Sequence, residues 1–422
     1  MKIGYFVPTT REIAEFNRCF YLAKHIVEMG HEATIVCAAP HYCYTVKTEK
    51  RQGVKLIQLP YFLPQSMLPL KLSSGSQKVR VRHQEYLGQL FRGFLSPLVS
   101  LIQNSDVVHA FTVAFPMSAF SAVASKVIKR RRLVVDWVDL WSEGGWGRFH
   151  NSAIRLGLTL LEEKTILFAD SATVTSDFLA NRAIRLGMPA DKIFKIPSGA
   201  NTDLIKPIQK EYAREKLGYA PDLQILVYEG GSGASGAMPV TLRQLFESFH
   251  IAAISNNKLR LVVVGCSPSI QELEFVRKLG IGNLVDFISR QPYERLPLFL
   301  GIADLLVLPL ESDEIFKAGL PGRFGDYMCA GRPILSHKVG DVADIISREK
   351  IGLTARPGDP VDFAQKIDKI VSDKDLCEKF GNNARRIAEQ KYSWRKMAKK
   401  LVAIYENRIQ SDYGDDGKFK WT

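Results

Sequence analysis

The chain has 422 residues, 46 % of them hydrophobic and 24 % charged. This globular balance excludes a disordered, fibrous or low-complexity protein, and the length suits two or three domain cores. The net charge of +13 is uneven: residues 1–200 carry 25 Lys and Arg against 15 Asp and Glu, and residues 201–422 carry 32 against 29; a basic first half suits an anionic partner, but charge alone favours a merely soluble basic surface.

The opening MKIGYFVPTT reads as a strand rather than a leader, lacking a basic region and a cleavage site. No apolar run approaches the ~20 residues needed to cross a bilayer. Six scattered cysteines without a Cys-x-x-Cys pair support neither a zinc site nor a disulfide framework, which points to a reduced, cytoplasmic protein with no bound metal. Short apolar runs rich in β-branched residues follow at 2–7, 32–37, 54–59, 107–111, 133–137, 171–174 and 192–196. A second series lies at 224–228, 259–264, 284–288, 305–308 and 333–336. Amphipathic stretches separate them, the pattern of buried parallel strands in βαβ units. In the first helix Phe16, Phe20, Ala23, Lys24 and Val27 recur at helical spacing before Met29-Gly30-His31 ends it. The rhythm breaks once, from Ile196-Pro197-Ser198-Gly199 to Lys206-Pro207. That break predicts two doubly wound α/β domains, 1–200 and 208–390, followed by a polar helical segment, 391–422. Ligands of such sheets bind beyond the carboxyl ends of the strands, so two domains facing a central cleft would place function on those loops.

Two strings stand out. Gly230-Gly231-Ser232-Gly233-Ala234-Ser235-Gly236 follows a strand and formally matches the dinucleotide fingerprint. The next strand, however, ends Val264-Gly265-Cys266-Ser267, without the acidic residue that would hold a ribose. The loop can still present backbone N–H groups to phosphate oxygens. The second string runs from Leu308 through Glu311, Asp313 and Glu314 to Leu320-Pro321-Gly322-Arg323-Phe324-Gly325-Asp326-Tyr327-Met328-Cys329-Ala330-Gly331-Arg332-Pro333. Here glycine and proline open a helix whose N-terminus suits a diphosphate, with Arg323 and Asp326 sharing one face. The pair reads either as a clamp on phosphate and ribose or as a surface ion pair.

The second string resembles the Pro-x-Lys/Arg-x-x-Glu-Tyr-Met-x-x-Gly-x-Pro pattern of the family-four retaining glycosyltransferases. Further landmarks of that family occur in order: Asp106-Val107-Val108-His109, Ala169-Asp170, Val262-Val263-Val264-Gly265, Ala303-Asp304, Pro357-Gly358-Asp359 and Tyr392-Ser393-Trp394. The resemblance implies the GT-B fold, with an N-terminal acceptor domain, a C-terminal donor domain and a last helix returning to the N-domain. It also implies transfer of a sugar from a nucleoside-diphosphate sugar, UDP-sugar first, to a glycan or lipid-linked glycan in polysaccharide or glycoconjugate biosynthesis, with no cofactor. Asp326 then stands where the family's Glu binds ribose hydroxyls, and Gly322 and Arg323 stand by the diphosphate. Arg290 and Gln291 fall on the loop against the base, joined in the donor site by Gly230, Gly231, Ser232, Gly265 and Glu314. His109 falls on the histidine beside the transferred sugar.

The chain departs from the family in three places. Ala318 replaces a Glu eight residues before Asp326, with Glu314 or Asp313 as substitutes. No Arg–Lys pair follows the first strand of the second domain, and Phe111 stands where some lineages repeat the histidine. Two local features are specific to it. Asp136-Trp137-Val138-Asp139-Leu140-Trp141 offers carboxylates beside indoles, fitting either a sugar contact, with Asp139 as a catalytic candidate, or a helix cap. The apolar stretch 61–72, the basic stretch 78–83, the amphipathic run 86–102 and Lys126, Lys129, Arg130, Arg131 and Arg132 suit an anionic leaflet on the inner face of a membrane. The rival readings are a silent GT-B homologue and a nicotinamide-dependent oxidoreductase. Nucleic acid is disfavoured, because the basic residues are not interleaved with a stacking platform.

Overall fold

The computed structural model describes residues 1–9, 14–39, 43–60, 77–142, 144–230, 238–265 and 267–413, the side chains of 14 and 77–87 excepted. Gly231 and Ser232, and the stretch 61–72, lie outside the described residues. The chain forms two compact units, Met1–Ser198 with Trp394–Thr422, and Gly199–Ser393.

The first unit carries strands β1 (Lys2–Phe6), β2 (Glu32–Ala38), β3 (Lys47–Arg51), β4 (Val54–Leu59), β5 (Val107–Phe111), β6 (Arg132–Trp137), β7 (Ser171–Val174) and β8 (Ile193–Lys195). Its helices are α1 (Ala14–Glu28), α2 (Gln77–Ile102), α3 (Pro116–Lys129), α4 (Ser152–Phe168) and α5 (Asp177–Arg185). The sheet order is β3-β4-β2-β1-β5-β6-β7-β8, parallel except for β3. The order reverses at β1, which pairs with both β2 and β5, so the loops after β1 and β5 flank the switch point.

β3 has no counterpart among the apolar runs. Its residues Lys47-Thr48-Glu49-Lys50-Arg51 are mostly exposed, and it joins β4 through a two-residue turn in which Gln52 and Gly53 both have positive φ. A charged, antiparallel edge strand closes an otherwise apolar parallel sheet against association through its edge. β1, β5 and β6, by contrast, are buried almost throughout, the mark of strands covered on both faces.

The second unit holds α6 (Lys210–Leu217), β9 (Gln224–Glu229), α7 (Val240–Ser255), β10 (Leu259–Val264), α8 (Ile270–Lys278), β11 (Val285–Ile288), α9 (Leu296–Gly301), β12 (Leu305–Leu308), α10 (Glu314–Ala318) and α11 (Gly322–Ala330). It continues with β13 (Ile334–His337), α12 (Gly340–Glu349), β14 (Gly352–Ala355), α13 (Pro360–Val371) and α14 (Lys374–Ile387). All six strands are parallel in the order β11-β10-β9-β12-β13-β14, and the switch point falls between β9 and β12. β14 is a second strand without a counterpart among the apolar runs, being four residues long and opened by Gly352. A Cβ there would strike the Ile334 backbone, so only glycine lets β14 pair with β13.

The last helix, α15 (Trp394–Tyr405), follows a π-helical turn, Ala388–Tyr392. Trp394, Met397, Ala398, Leu401, Val402, Ile404 and Tyr405 join α1, β1 and β2 in the core of the first unit. No helix among the described residues is long and apolar enough to cross a membrane.

The first unit is tied at its centre by charge. Arg18 of α1 donates through Nε to Asp136 Oδ2 (2.7 Å) and through Nη2 to Asp136 Oδ1 (3.0 Å), and its remaining N–H groups reach the carbonyls of Ile196 and Pro197. Both partners are buried, so removing the guanidinium strands a charged carboxylate in the core. Arg18→Ala should lower the stability of this unit by about 3–5 kcal/mol. Urea unfolding followed by the tryptophans of the first unit measures it, and a loss near zero would show that the carboxylate finds another partner.

Candidate functional site

In the second unit, the residues around the switch point are brought together by the first turn of α11. Pro321 precedes the helix, and no side chain caps its N–H groups. A side chain at Gly322 would meet open space, so the helix start stays accessible. One residue on, Arg323 donates to the Glu229 carbonyl at the end of β9, and its guanidinium lies 5.4 Å from the centre of the Tyr228 ring. Despite burial, the neighbouring Tyr228, Glu229 and Tyr327 raise its pKa and keep the cation charged. Tyr327 accepts the Glu229 N–H at 2.7 Å and donates to the Val307 carbonyl at 3.3 Å, stitching α11 to β9 and β12.

Gly230 sits beneath this cation. A Cβ there would collide with the Arg323 guanidinium and the Tyr228 hydroxyl, so the position requires glycine. The Gly230 N–H continues the strand pairing to the Val264 carbonyl (2.9 Å), as Gly265 does to the Ile288 carbonyl (2.8 Å). Gly265, at φ +93°, packs its backbone against Gly230.

Asp326, one turn along α11, accepts a 2.7 Å hydrogen bond from the Tyr293 hydroxyl on the loop after β11. Burial, reinforced by the charge of Glu229, pushes its carboxyl up to about 8. On the same loop Gln291 donates to the Ser289 carbonyl (3.2 Å) and accepts from Arg295 (3.1 Å), while Arg290 is exposed. Glu314 is exposed in the first turn of α10, which Asp313 caps by accepting the Phe316 N–H at 3.0 Å. Ala318 is fully buried at the end of that helix.

Glu229, which heads the glycine-rich string, was given no role in the sequence, yet its charge acts on both Arg323 and Asp326 and its Oε2 is buried and unpaired. An acidic residue closing the strand directly before a glycine-rich loop was the available signal. Tyr293 carried none.

In the first unit the two catalytic candidates have different surroundings. His109 lies inside β5, fully buried, with Nδ1 2.6 Å from the Tyr405 hydroxyl and Nε2 3.3 Å from the Thr173 hydroxyl. Burial holds its pKa down to about 4, so the ring is neutral. Both ring nitrogens face hydroxyls inside the core, Tyr405 on one side and Thr173 on the other.

Asp139 lies two residues past β6, half-buried, its carboxyl pushed up to about 6 by burial against the opposing pull of Arg18. It caps no helix. The loop around it is held from α4, where the buried Glu162 accepts the N–H groups of Trp141 (3.1 Å) and Ser142 (2.7 Å). A run of rings follows, from the buried Phe115 through the half-buried Trp141 to the exposed Trp146 and Phe149: Trp141 stands 4.8 Å from Phe115 and 6.3 Å from Trp146, which is 6.1 Å from Phe149. Rings beside a carboxylate give a surface that can stack on a sugar face while accepting from its hydroxyls.

Two Rossmann-like units, with a cation, an open helix start and a buried carboxyl gathered at one switch point, define the class as a GT-B glycosyltransferase. Residues 17–199 match the glycosyl transferase 4-like domain and residues 241–387 match glycosyl transferases group 1. D-inositol 3-phosphate glycosyltransferase 2 of Catenulispora acidiphila is 25 % identical over 63 % of this chain. The match spans 64 % of that relative's length, a little under two thirds. Sucrose-phosphate synthase from Thermosynechococcus elongatus shares the fold with a TM-score of 0.70 at 16 % identity, covering 96 % of this chain and 98 % of that one. Anabaena HepE in complex with UDP-glucose does so with a TM-score of 0.65 at 16 % identity, covering 96 % and 100 %. The chain belongs to the family-four glycosyltransferases.

The raised carboxyl of Asp326 has a consequence for stability. The folded chain keeps this proton from the ordinary value of 3.8 up to about 8, so unfolding releases it and stability falls as pH rises through that window. Between pH 6.5 and 8 the buried His337, held down to about 4, adds an opposing slope that fades as the unfolded imidazole loses its proton above its ordinary value of 6.5, and this contribution is the same in both chains compared. Thermal melting of the second unit across that interval should fall in the parent chain and be flatter in Asp326→Asn. An identical slope in both would remove Asp326 as the source.

Proposed function

We propose that this chain transfers a sugar from a nucleoside-diphosphate sugar, UDP-sugar first, to a hydroxyl of a glycan or lipid-linked glycan, with retention of configuration at the anomeric carbon. The observation that carries this reading is the cluster at the start of α11: uncapped N–H groups at Gly322, the charged Arg323, and Asp326 one turn along. The helix start and Arg323 would face the diphosphate and stabilise the charge that grows on it as the glycosidic bond breaks. With one oxygen of Asp326 taken by Tyr293, the other is left for a ribose hydroxyl. The aromatic loop with Asp139 would receive the acceptor, its carboxylate accepting from a hydroxyl.

The nicotinamide reading loses support because β10 ends at Val264-Gly265 with no acid to hold an adenosine ribose. A silent homologue retains one observation in its favour, the buried Ala318 in place of a donor-sugar carboxylate.

An anionic membrane surface is proposed as the place of work. Phe94, Leu98 and Ile102 form an exposed i, i+4, i+8 stripe on α2, and Val127 and Ile128 are exposed on α3 beside Lys126, Lys129 and Arg130. Exposed apolar groups among cations are the chemistry that rests on an acidic leaflet.

The test is calorimetric titration with UDP, GDP and ADP, followed by Asp326→Ala. Tight binding of one nucleotide, weakened about tenfold or more in the variant, is the expected result, a loss of ~1.4 kcal/mol or more. Unchanged affinity in the variant would remove Asp326 from the site. Slow hydrolysis of the matching UDP-, GDP- or ADP-sugar without acceptor would separate an active transferase from a silent homologue.

A further inference from the structure

At the end of the first sheet where β6, β7 and β8 begin, the surface forms an open concavity of about 710 Å³. Five cations line it: Lys126 and Arg130 at the end of α3, Arg131 and Arg132 leading into β6, and Lys192 before β8. Against them stand two acids, Asp170 and Asp191, leaving three positive charges in excess. Asp170 is already committed, accepting from Lys126 at 2.6 Å.

The two inner guanidinium groups bind neutral oxygens. Arg131 donates to the carbonyls of Ser100 (2.7 Å) and Gln103. Arg132 donates to the carbonyl of Tyr405 (2.7 Å) and to the Ser171 hydroxyl (3.4 Å). These bonds fix the side chains, and although Asp106 acts on Arg131 and Asp170 on Arg132, the lining keeps its excess of positive charge. Arg130 and Lys192 at the rim are exposed. Arg130 holds a left-handed conformation (φ +52°) at the end of α3, and Asn407 (φ +55°) lines the same cavity. Left-handed backbone is uncommon for arginine and costs strain that the surrounding contacts must offset.

We propose that this cavity binds a phosphate-bearing anion, either a free phosphorylated solute or the headgroup of an anionic lipid. Arg130 and Lys192, exposed at the rim, supply the donors that would meet phosphate oxygens, and the fixed Arg131 and Arg132 behind them add positive field. The site belongs to the first unit alone and does not rest on the transferase reading, which places donor phosphates in the second unit. A lipid source fits the exposed Val127 and Ile128, which precede Arg130 on α3. A free phosphate source fits the concave shape, and the two are separated by experiment.

The probes are sodium pyrophosphate, titrated by calorimetry, and sedimented vesicles of phosphatidylglycerol or of phosphatidylcholine. Each is applied to the full chain, to the double variant Arg130→Glu with Lys192→Glu, and to Arg323→Ala. The reversed residues are exposed, so the melting temperature should stay near that of the parent chain. The proposal expects one of two results. Pyrophosphate binding weakened about tenfold or more by the double variant and kept in Arg323→Ala identifies a free phosphate. Selective pelleting with phosphatidylglycerol, lost in the double variant, identifies a lipid headgroup. Binding of both probes that is unaffected by the double variant, or binding of neither, overturns the proposal. Pyrophosphate binding lost only in Arg323→Ala, with vesicles indifferent to the double variant, would assign the anion to the nucleotide site and overturn it as well.

Discussion

The buried ion pair between Arg18 and Asp136 is the constraint on which the rest of the first unit depends. A single guanidinium holds the carboxylate of β6 in two hydrogen bonds and spends its remaining donors on the carbonyls of Ile196 and Pro197, where the chain leaves the unit. The carboxylate also accepts from the Thr173 hydroxyl of β7 at 2.5 Å, and Thr173 lies beside the ring of His109, which meets Tyr405 of α15. The Tyr405 hydroxyl in turn donates to that of Tyr5 in β1 at 3.3 Å. One polar chain thus crosses β6, β7, β5, α15 and β1 inside an otherwise apolar core. Burying these groups costs desolvation that an apolar core would avoid, so the gain lies in geometry rather than in net stability. The pair fixes where β6 ends, and Arg18 is also the charge that acts on Asp139, two residues beyond.

The second unit is organised by a helix. Gly325 allows α11 to approach the Gly199 carbonyl and the Ala200 backbone, an approach any Cβ would block. The Ala200 N–H is held by the Tyr392 carbonyl at 2.7 Å, so α11 rests on a segment that is itself anchored. From that seat Tyr327 and Arg323 reach the backbone at the end of β9, and Asp326 reaches Tyr293. The groups read as a phosphate and ribose clamp therefore gain their precision from backbone contacts, and side-chain identity alone would not supply it.

This explains what was legible in the sequence. Apolar, β-branched runs announce strands buried on both faces, and these emerged close to their observed limits. β3 is charged because it is an edge, and β14 is short and opened by a glycine, so neither carries that signal. Motif spacing located Gly230, Gly322, Arg323 and Asp326, because a helix start after a strand is a local event. Glu229, Tyr293 and Glu162 enter through contacts between residues 20 to 94 positions apart: Glu229 with Arg323, Tyr293 with Asp326, Glu162 with the Asp139 loop. Only the fold supplies such pairings. His109 shows the converse case, in which a motif residue lies in a strand whose every position is buried.

Charge completes the picture of the first unit. β6 begins at Arg132 and ends at Trp137, so the basic cavity and the Asp139 loop lie at opposite ends of a strand roughly 20 Å long. Screening at physiological ionic strength acts over about 8 Å, so the cations of the cavity exert little force at the loop. The described part of the excess positive charge therefore does not act as a field drawing an acceptor towards Asp139, whose carboxyl is raised mainly by burial against the pull of Arg18. On the proposed acceptor reading, recognition at the loop would rest on short-range contacts, on the exposed rings of Trp146 and Phe149 and on hydrogen bonds to one carboxylate. The basic residues are free to serve a different anion at the other end of the same sheet.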